Sequence, residues 1–122
     1  MELELAPDGR LFVNDFKGGL HIVDPASDHA PVLAGRLKVF NEQENGFLGF
    51  ALDPAFETNH WIYCFYSPQD FSGQRLSRFR MEGERLLHET EKVLLEFAEQ
   101  REQCCHHAGR VEFAPDGCLL IS

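Results

Sequence analysis

The sequence contains no Cys-x-x-Cys pair, little basic charge and no apolar run near the roughly 18 residues that a membrane-spanning helix needs. Each absence removes a class of function. Without Cys-x-x-Cys, the zinc-ribbon, thioredoxin-like and c-type haem attachment signatures are missing, although four cysteines are present, at 64, 104, 105 and 118. Eleven Lys and Arg face twenty Asp and Glu, and the resulting net charge of −9 would repel a phosphate backbone, which argues against nucleic acid as a partner. The opening Met1-Glu2-Leu3-Glu4-Leu5 lacks the basic and apolar regions of a secretory signal, so an exported parent would carry its signal upstream. What remains is ordinary for a folded domain: 43% hydrophobic and 25% charged residues in 122 exclude disorder and permit one modest core.

Short apolar runs separated by turn residues dominate the chain. Leu3 to Ala6 and Arg10 to Val13 flank Pro7-Asp8-Gly9, a β-hairpin signal, because proline presets φ and glycine accepts a positive φ. Leu20 to Val23 follows, then a weaker run around Leu33 to Phe40, which together predict a four-stranded antiparallel meander. The pattern recurs in Gly46 to Leu52, in the aromatic Trp61-Ile62-Tyr63-Cys64-Phe65-Tyr66, and in Arg75 to Met81, with Ala55 to His60 expected as a polar loop. After a turn at Glu82-Gly83-Glu84 the chain continues through Arg85 to His88, and Lys92 to Phe97 is expected to supply the outer strand. The Leu, Glu and Lys content of 86–97 would also suit a helix; the spacing of the neighbouring strands favours strand.

A repeat ties these pieces together. Ala6-Pro7-Asp8-Gly9 matches Ala114-Pro115-Asp116-Gly117, and Ala51-Leu52-Asp53-Pro54 lies 45 residues after the first and 63 before the second. Those intervals bracket the roughly 40 to 50 residues of a four-stranded propeller blade. The expected fold class is therefore all-β, an incomplete six-bladed propeller with about two blades (1–45 and 46–100) and the first hairpin of a third (101–122). Propellers close with about four to eight blades, so the open edges of such a piece would invite self-association.

Chemistry concentrates in Gln103-Cys104-Cys105-His106-His107-Ala108-Gly109-Arg110. An imidazole titrating near neutral pH is suited to moving protons. The adjacent cysteines admit three readings: a strained vicinal disulfide, a soft metal site shared with a histidine, or reduced thiols. Adjacent residues on one extended segment do not converge readily on a single ion, which disfavours the metal. Cys64 and Cys118 are expected to be buried apolar residues, and His21, His29, His60 and His88 to serve surface or packing roles. Asp8 and Asp116 are expected to bond locally within their turns.

Two blocks resemble the glucose/sorbosone dehydrogenase family, soluble six-bladed propellers that use pyrroloquinoline quinone. Glu44-Asn45-Gly46-Phe47-Leu48-Gly49-Phe50-Ala51-Leu52-Asp53-Pro54-Ala55-Phe56, with Asn59 and Trp61-Ile62-Tyr63, is similar to the family's G-L-L-G-hydrophobic-A-x-x-P-x-F block. His106-His107-Ala108-Gly109-Arg110, with the Pro115-Asp116-Gly117 turn, is similar to its H-x-x-G-R segment. The resemblance implies a sugar or aldose dehydrogenase in which His106 takes a proton from the sugar hydroxyl as hydride passes to the quinone. Glu44, Cys105 and Arg110 would then border the cofactor, and Gly109 would let the backbone pass close to it. Glu44 stands where the sugar dehydrogenases carry a glutamine, and Cys105 where they carry an acidic residue. The Gln-Cys-Cys-His version is closer to modules of large multidomain bacterial proteins. The resemblance further implies calcium in the full-length protein, a cytochrome or other electron acceptor, and a periplasmic or secreted location. The alternatives are a noncatalytic propeller that binds carbohydrate or protein, and a cysteine-centred redox or metal module.

Overall fold

The computed structural model describes residues 1–103 and 109–122, and these form three antiparallel sheets. The first comprises β1 (Leu3–Leu5), β2 (Leu11–Asn14), β3 (Gly19–Val23) and β4 (Val32–Arg36), paired in sequence order. The second comprises β5 (Phe47–Leu52), β6 (Trp61–Tyr66), β7 (Gly73–Glu82) and β8 (Arg85–Ala98), again in order, with a four-residue helix α1 (Phe56–Asn59) between β5 and β6. A hairpin of β9 (Val111–Phe113) and β10 (Leu119–Ile121) opens the third.

Strand alternation explains how the sheets stack. Successive side chains of a strand point to opposite faces. Along β5 and β6, Phe50, Leu52, Ile62, Cys64 and Tyr66 join Phe12, Leu20 and Ile22 of the first sheet in one core. Their neighbours Ala51 and Phe65 turn the other way and pack with Leu76 and Val111, flanked by Tyr63, Phe113, Leu119 and Ile121. The middle sheet is thus apolar on both faces, which is why β5 and Trp61 to Tyr66 read as continuous apolar runs. Sheets packed face to face around a common inner edge are propeller blades, as the repeat predicts.

Four details depart from the sequence reading. Ala55–His60 is not a simple loop: α1 forms there, because Asp53 Oδ1 accepts from the Ala55 N–H at 2.8 Å and the Asn59 Nδ2 at 2.9 Å, while Phe56 is buried edge-on against Phe12. It ends at His60, in the left-handed region at φ 57. Residues 85–88 and 92–97 belong to one 14-residue strand, β8, whose register against β7 absorbs two irregularities. Cys118 is exposed rather than buried, since it falls in the turn before β10, whereas Cys64 is enclosed and its thiol pKa is pushed well up by burial. His21 has a specific partner, its Nε2 lying 2.7 Å from Asp15 Oδ2.

Candidate functional site

The inner strands of the three sheets run in the same direction around a shared shaft. Glu2 accepts from the Phe50 N–H and Glu4 Oε2 from the Leu52 N–H at 3.0 Å, which aligns β1 with β5. Gly109 lies against Leu48 and Gly49, so closely that a Cβ on Gly49 would stand 1.8 Å from the Gly109 carbonyl oxygen. Phe113, four residues on, meets Tyr63 edge-on at 5.1 Å, and Tyr63 pairs with Ala51. β9 is therefore parallel to β5. The facing Gly49 has no room for a side chain.

Common direction sorts the connections between two mouths. At one sit the turns that leave the inner strands: Ala6 to Gly9, the Asp53 to His60 connection with α1, and Ala114 to Gly117. At the other sit the described residues that enter them, 41–46 before β5 and 99–103 with 109–110 before β9. The segment 41–46 carries two consecutive non-glycine residues at positive φ, Gln43 at 52 and Glu44 at 68. Left-handed backbone is strained for such residues and persists where the surroundings enforce it.

A buried polar network does the enforcing. Asn45, Ser67 and Gln74 are each about 1% exposed or less. Asn45 Nδ2 donates to the Glu42 carbonyl at 2.9 Å, closing the turn beneath Gln43 and Glu44. The Ser67 hydroxyl accepts from the Gly46 N–H at 3.2 Å and donates to Gln74 Oε1 at 2.7 Å. Gln74 Nε2 donates to Asn45 Oδ1 at 3.2 Å and to Glu99 Oε2 at 3.0 Å. Nearby, Asn14 Nδ2 donates to the Phe47 carbonyl at 2.7 Å and joins the first blade to the second. Buried groups of this kind are costly unless bonded, so the network makes the mouth rigid. Sequence reasoning missed it because its members lie up to 54 positions apart and no local spacing signals them.

Arg101 fastens the segment that leads to the histidines. Its Nη2 donates to the carbonyls of Pro68 at 2.7 Å and Gly73 at 3.0 Å, and its guanidinium lies 4.5 Å from the Phe40 ring centroid. Burial lowers its pKa, opposed by the nearby carboxylates of Glu99 and Asp70.

The shaft is an open cavity of about 800 Å³ walled by β1, β5 and β9. Glu2, Glu4, Glu112 and Arg110 give it polar lining. Burial raises the Glu4 carboxyl above its ordinary range against the opposing Leu52 N–H, and the neighbouring Glu2 and Glu112 add to the rise. Glu2 is raised by burial too, with Arg110 opposing.

Of the residues singled out from sequence, Glu44 is exposed on the strained loop at the entry mouth, and Arg110 lines the shaft just inside it. Arg110 pairs with Glu112, Nη2 to Oε2 at 3.1 Å, and stays 68% exposed. Glu44 does not line the cavity itself. Cys104, Cys105, His106 and His107 lie outside the described residues. The turn carboxylates behave as expected: Asp8 Oδ1 accepts from the Arg10 N–H and Asp116 Oδ1 from the Cys118 N–H, both at 3.0 Å.

Face-stacked four-stranded meanders around a shared polar shaft define a partial β-propeller. The family model described as "Glucose / Sorbosone dehydrogenase" matches residues 1–122, and the chain belongs to that family. A Thermus thermophilus protein assigned as a glucose dehydrogenase-type oxidoreductase superposes with a TM-score of 0.83 at 27% identity, covering 96% of this chain and 34% of the other. The PQQ-bound form of aldose sugar dehydrogenase from Streptomyces coelicolor superposes with a TM-score of 0.78 at 25% identity, covering 96% and 35%. An uncharacterized Synechocystis protein is 29% identical over 95% of this chain and 30% of its own length. The chain thus spans about a third of each relative.

Proposed function

We propose that this chain forms part of a quinone-dependent sugar or aldose dehydrogenase propeller. The observation that carries the reading is the common direction of β1, β5 and β9, which brings the 41–46 loop, residues 99–103 and Arg110 to one mouth of a family propeller. Pyrroloquinoline quinone is a tricarboxylate, and a described residue that fits it is Arg110, whose guanidinium is 68% exposed and paired with Glu112. When bound, that group would supply the acceptor for a hydride leaving the sugar carbon. The chain's own contribution is the proton: His106, by family resemblance, takes it from the hydroxyl on that carbon, which becomes a carbonyl. Glu44, an acceptor where relatives carry an amide, would orient a sugar hydroxyl rather than a cofactor carboxylate. Calcium binding, a periplasmic or secreted location and a cytochrome-type acceptor follow from the same resemblance and belong to the full-length protein.

The test is dye reduction by aldoses with the full-length protein supplied with pyrroloquinoline quinone and calcium. Turnover that falls about 10²- to 10⁴-fold in His106→Ala, with cofactor affinity retained, is the expected result. Absence of cofactor binding by the intact protein would instead favour a noncatalytic sugar- or protein-binding propeller. That second reading draws its support from Cys105, which stands where an orienting acid is expected.

A further inference from the structure

The geometry points to Gln74 as a positioning residue that holds both entry segments of the mouth in one arrangement through a single amide. Gln74 lies on β7, the third strand of its blade, where neither the repeat nor the core requires a polar side chain. Its cross-strand partner is Phe97, and it is 1% exposed. An apolar residue would fill that space at lower desolvation cost. The amide uses both of its chemical ends: Oε1 accepts from Ser67, which itself holds Gly46, while Nε2 donates to Asn45 on one side and Glu99 on the other.

These partners belong to different blades' entries. Asn45 closes the left-handed Gln43–Glu44 turn before β5. Glu99 stands at the head of the segment that leads towards β9, and is anchored there by its own backbone, its N–H donating to the Ser72 carbonyl at 3.1 Å and its carbonyl accepting from the Ser72 hydroxyl at 2.9 Å. A displacement of either segment is therefore felt by the other through one side chain. The functional half of this inference, that Gln74 sets ligand affinity at the mouth, rests on the proposed dehydrogenase reading. The structural half does not.

The decisive comparison is hydrogen–deuterium exchange of the full-length protein and its Gln74→Glu, Glu99→Ala and Gln74→Glu/Glu99→Gln variants. A carboxylate at 74 keeps the shape but cannot donate at neutral pH, so peptides covering both 41–46 and 99–103 should exchange about tenfold faster while those of β1–β3 stay unchanged. Glu99→Ala should loosen 99–103 alone. The double variant, in which an amide at 99 donates to the carboxylate at 74, should restore protection there. Unchanged exchange in both segments of Gln74→Glu, or loosening confined to 41–46, overturns the inference. If Gln74→Glu loses global protection, an unaltered 99–103 in Glu99→Ala overturns it instead. In the second arm, pyrroloquinoline quinone titrated by absorbance should bind Gln74→Glu about tenfold more weakly than the parent, with partial recovery in the double variant. Equal affinity despite loosened segments rejects the functional half. Failure of the parent to bind removes the dehydrogenase reading, while the exchange arm still decides the role of Gln74.

Discussion

The two mouths of the shaft are built on opposite principles. At the exit mouth the chain repeats itself: Ala6 and Ala114 each donate to the carbonyl four residues on, at 2.8 Å in both copies, and Gly9 and Gly117 adopt φ of 90 and 88. An aspartate bonds the N–H two residues ahead in all three units, at Asp8, Asp53 and Asp116. Two of the three connections there are local copies of one turn, and the third, which carries α1, keeps the same aspartate bond. At the entry mouth the described residues show no such copy: consecutive non-glycine residues at positive φ are found among them at Gln43 and Glu44, held by Asn45, Ser67, Gln74 and Glu99 from distant parts of the chain. Repetition marks what the propeller needs in every blade, and departure from it falls where the proposed site would lie.

The sharpest way to break this contrast is at Asn45. Asn45→Ala removes the donor that closes the Glu42 turn and strips Gln74 of an acceptor inside the core. Stranding buried polar groups costs about 1–3 kcal/mol each, so urea denaturation of the full-length protein should show a loss at the upper part of that range. Ligand affinity at the mouth should fall with it. A variant as stable and as active as the parent would mean that the network is incidental.

The matching change at the exit mouth is Asp53→Ala. Asp53 accepts from the Ala55 N–H, the Asn59 amide and, at 2.9 Å, the Tyr63 hydroxyl. Burial opposes its ionisation, but these bonds win and hold the carboxyl below its ordinary range. The substitution should cost about 1–2 kcal/mol by thermal or urea unfolding, with turnover per folded molecule unchanged. Lost turnover in the folded variant would erase the distinction between the mouths. Asp8→Ala, at an exposed turn of the same kind, should shift stability by only about 0.5 kcal/mol.

How much of this was legible in the sequence follows the same division. The meanders, the Pro-Asp-Gly turns and the double-faced β5 and β6 could be read because their determinants lie within a few residues: alternation, turn chemistry and a repeat. The α1 turn was hidden because its cause is a side chain outside it, Asp53, together with burial of Phe56 against Phe12 in another blade. Cys118 looked like a strand residue from its apolar neighbours Leu119 to Ile121, yet the turn bond from Asp116 fixes it before the strand begins. Glu44 and Arg110 were singled out as site candidates through family motifs. Asn45, Ser67 and Gln74 were not, since three ordinary polar residues acquire meaning only when folding buries them together.

The smallest expected effect lies between the mouths, in the shaft. Glu4 is raised by burial, with Glu2 and Glu112 adding to it, while the Leu52 N–H opposes. A carboxyl whose folded pKa exceeds its unfolded value contributes stability below the unfolded pKa and loses it as pH rises through the folded one. Glu4 and Glu2 should therefore make the melting temperature decline as pH climbs out of the ordinary carboxylate range, near pH 4 to 5. Asp8, Asp15 and Asp53, all held low, act with the opposite sign and lose their contribution as pH falls through their own range. Glu4→Gln keeps an acceptor for the Leu52 N–H and removes one titration. Its melting temperature should exceed the parent's slightly at pH 7, and the two should converge towards pH 4. A variant that is less stable at pH 7 would show that the shaft needs the charge itself. Glu4 would then belong with the entry mouth, as part of the working surface rather than the frame.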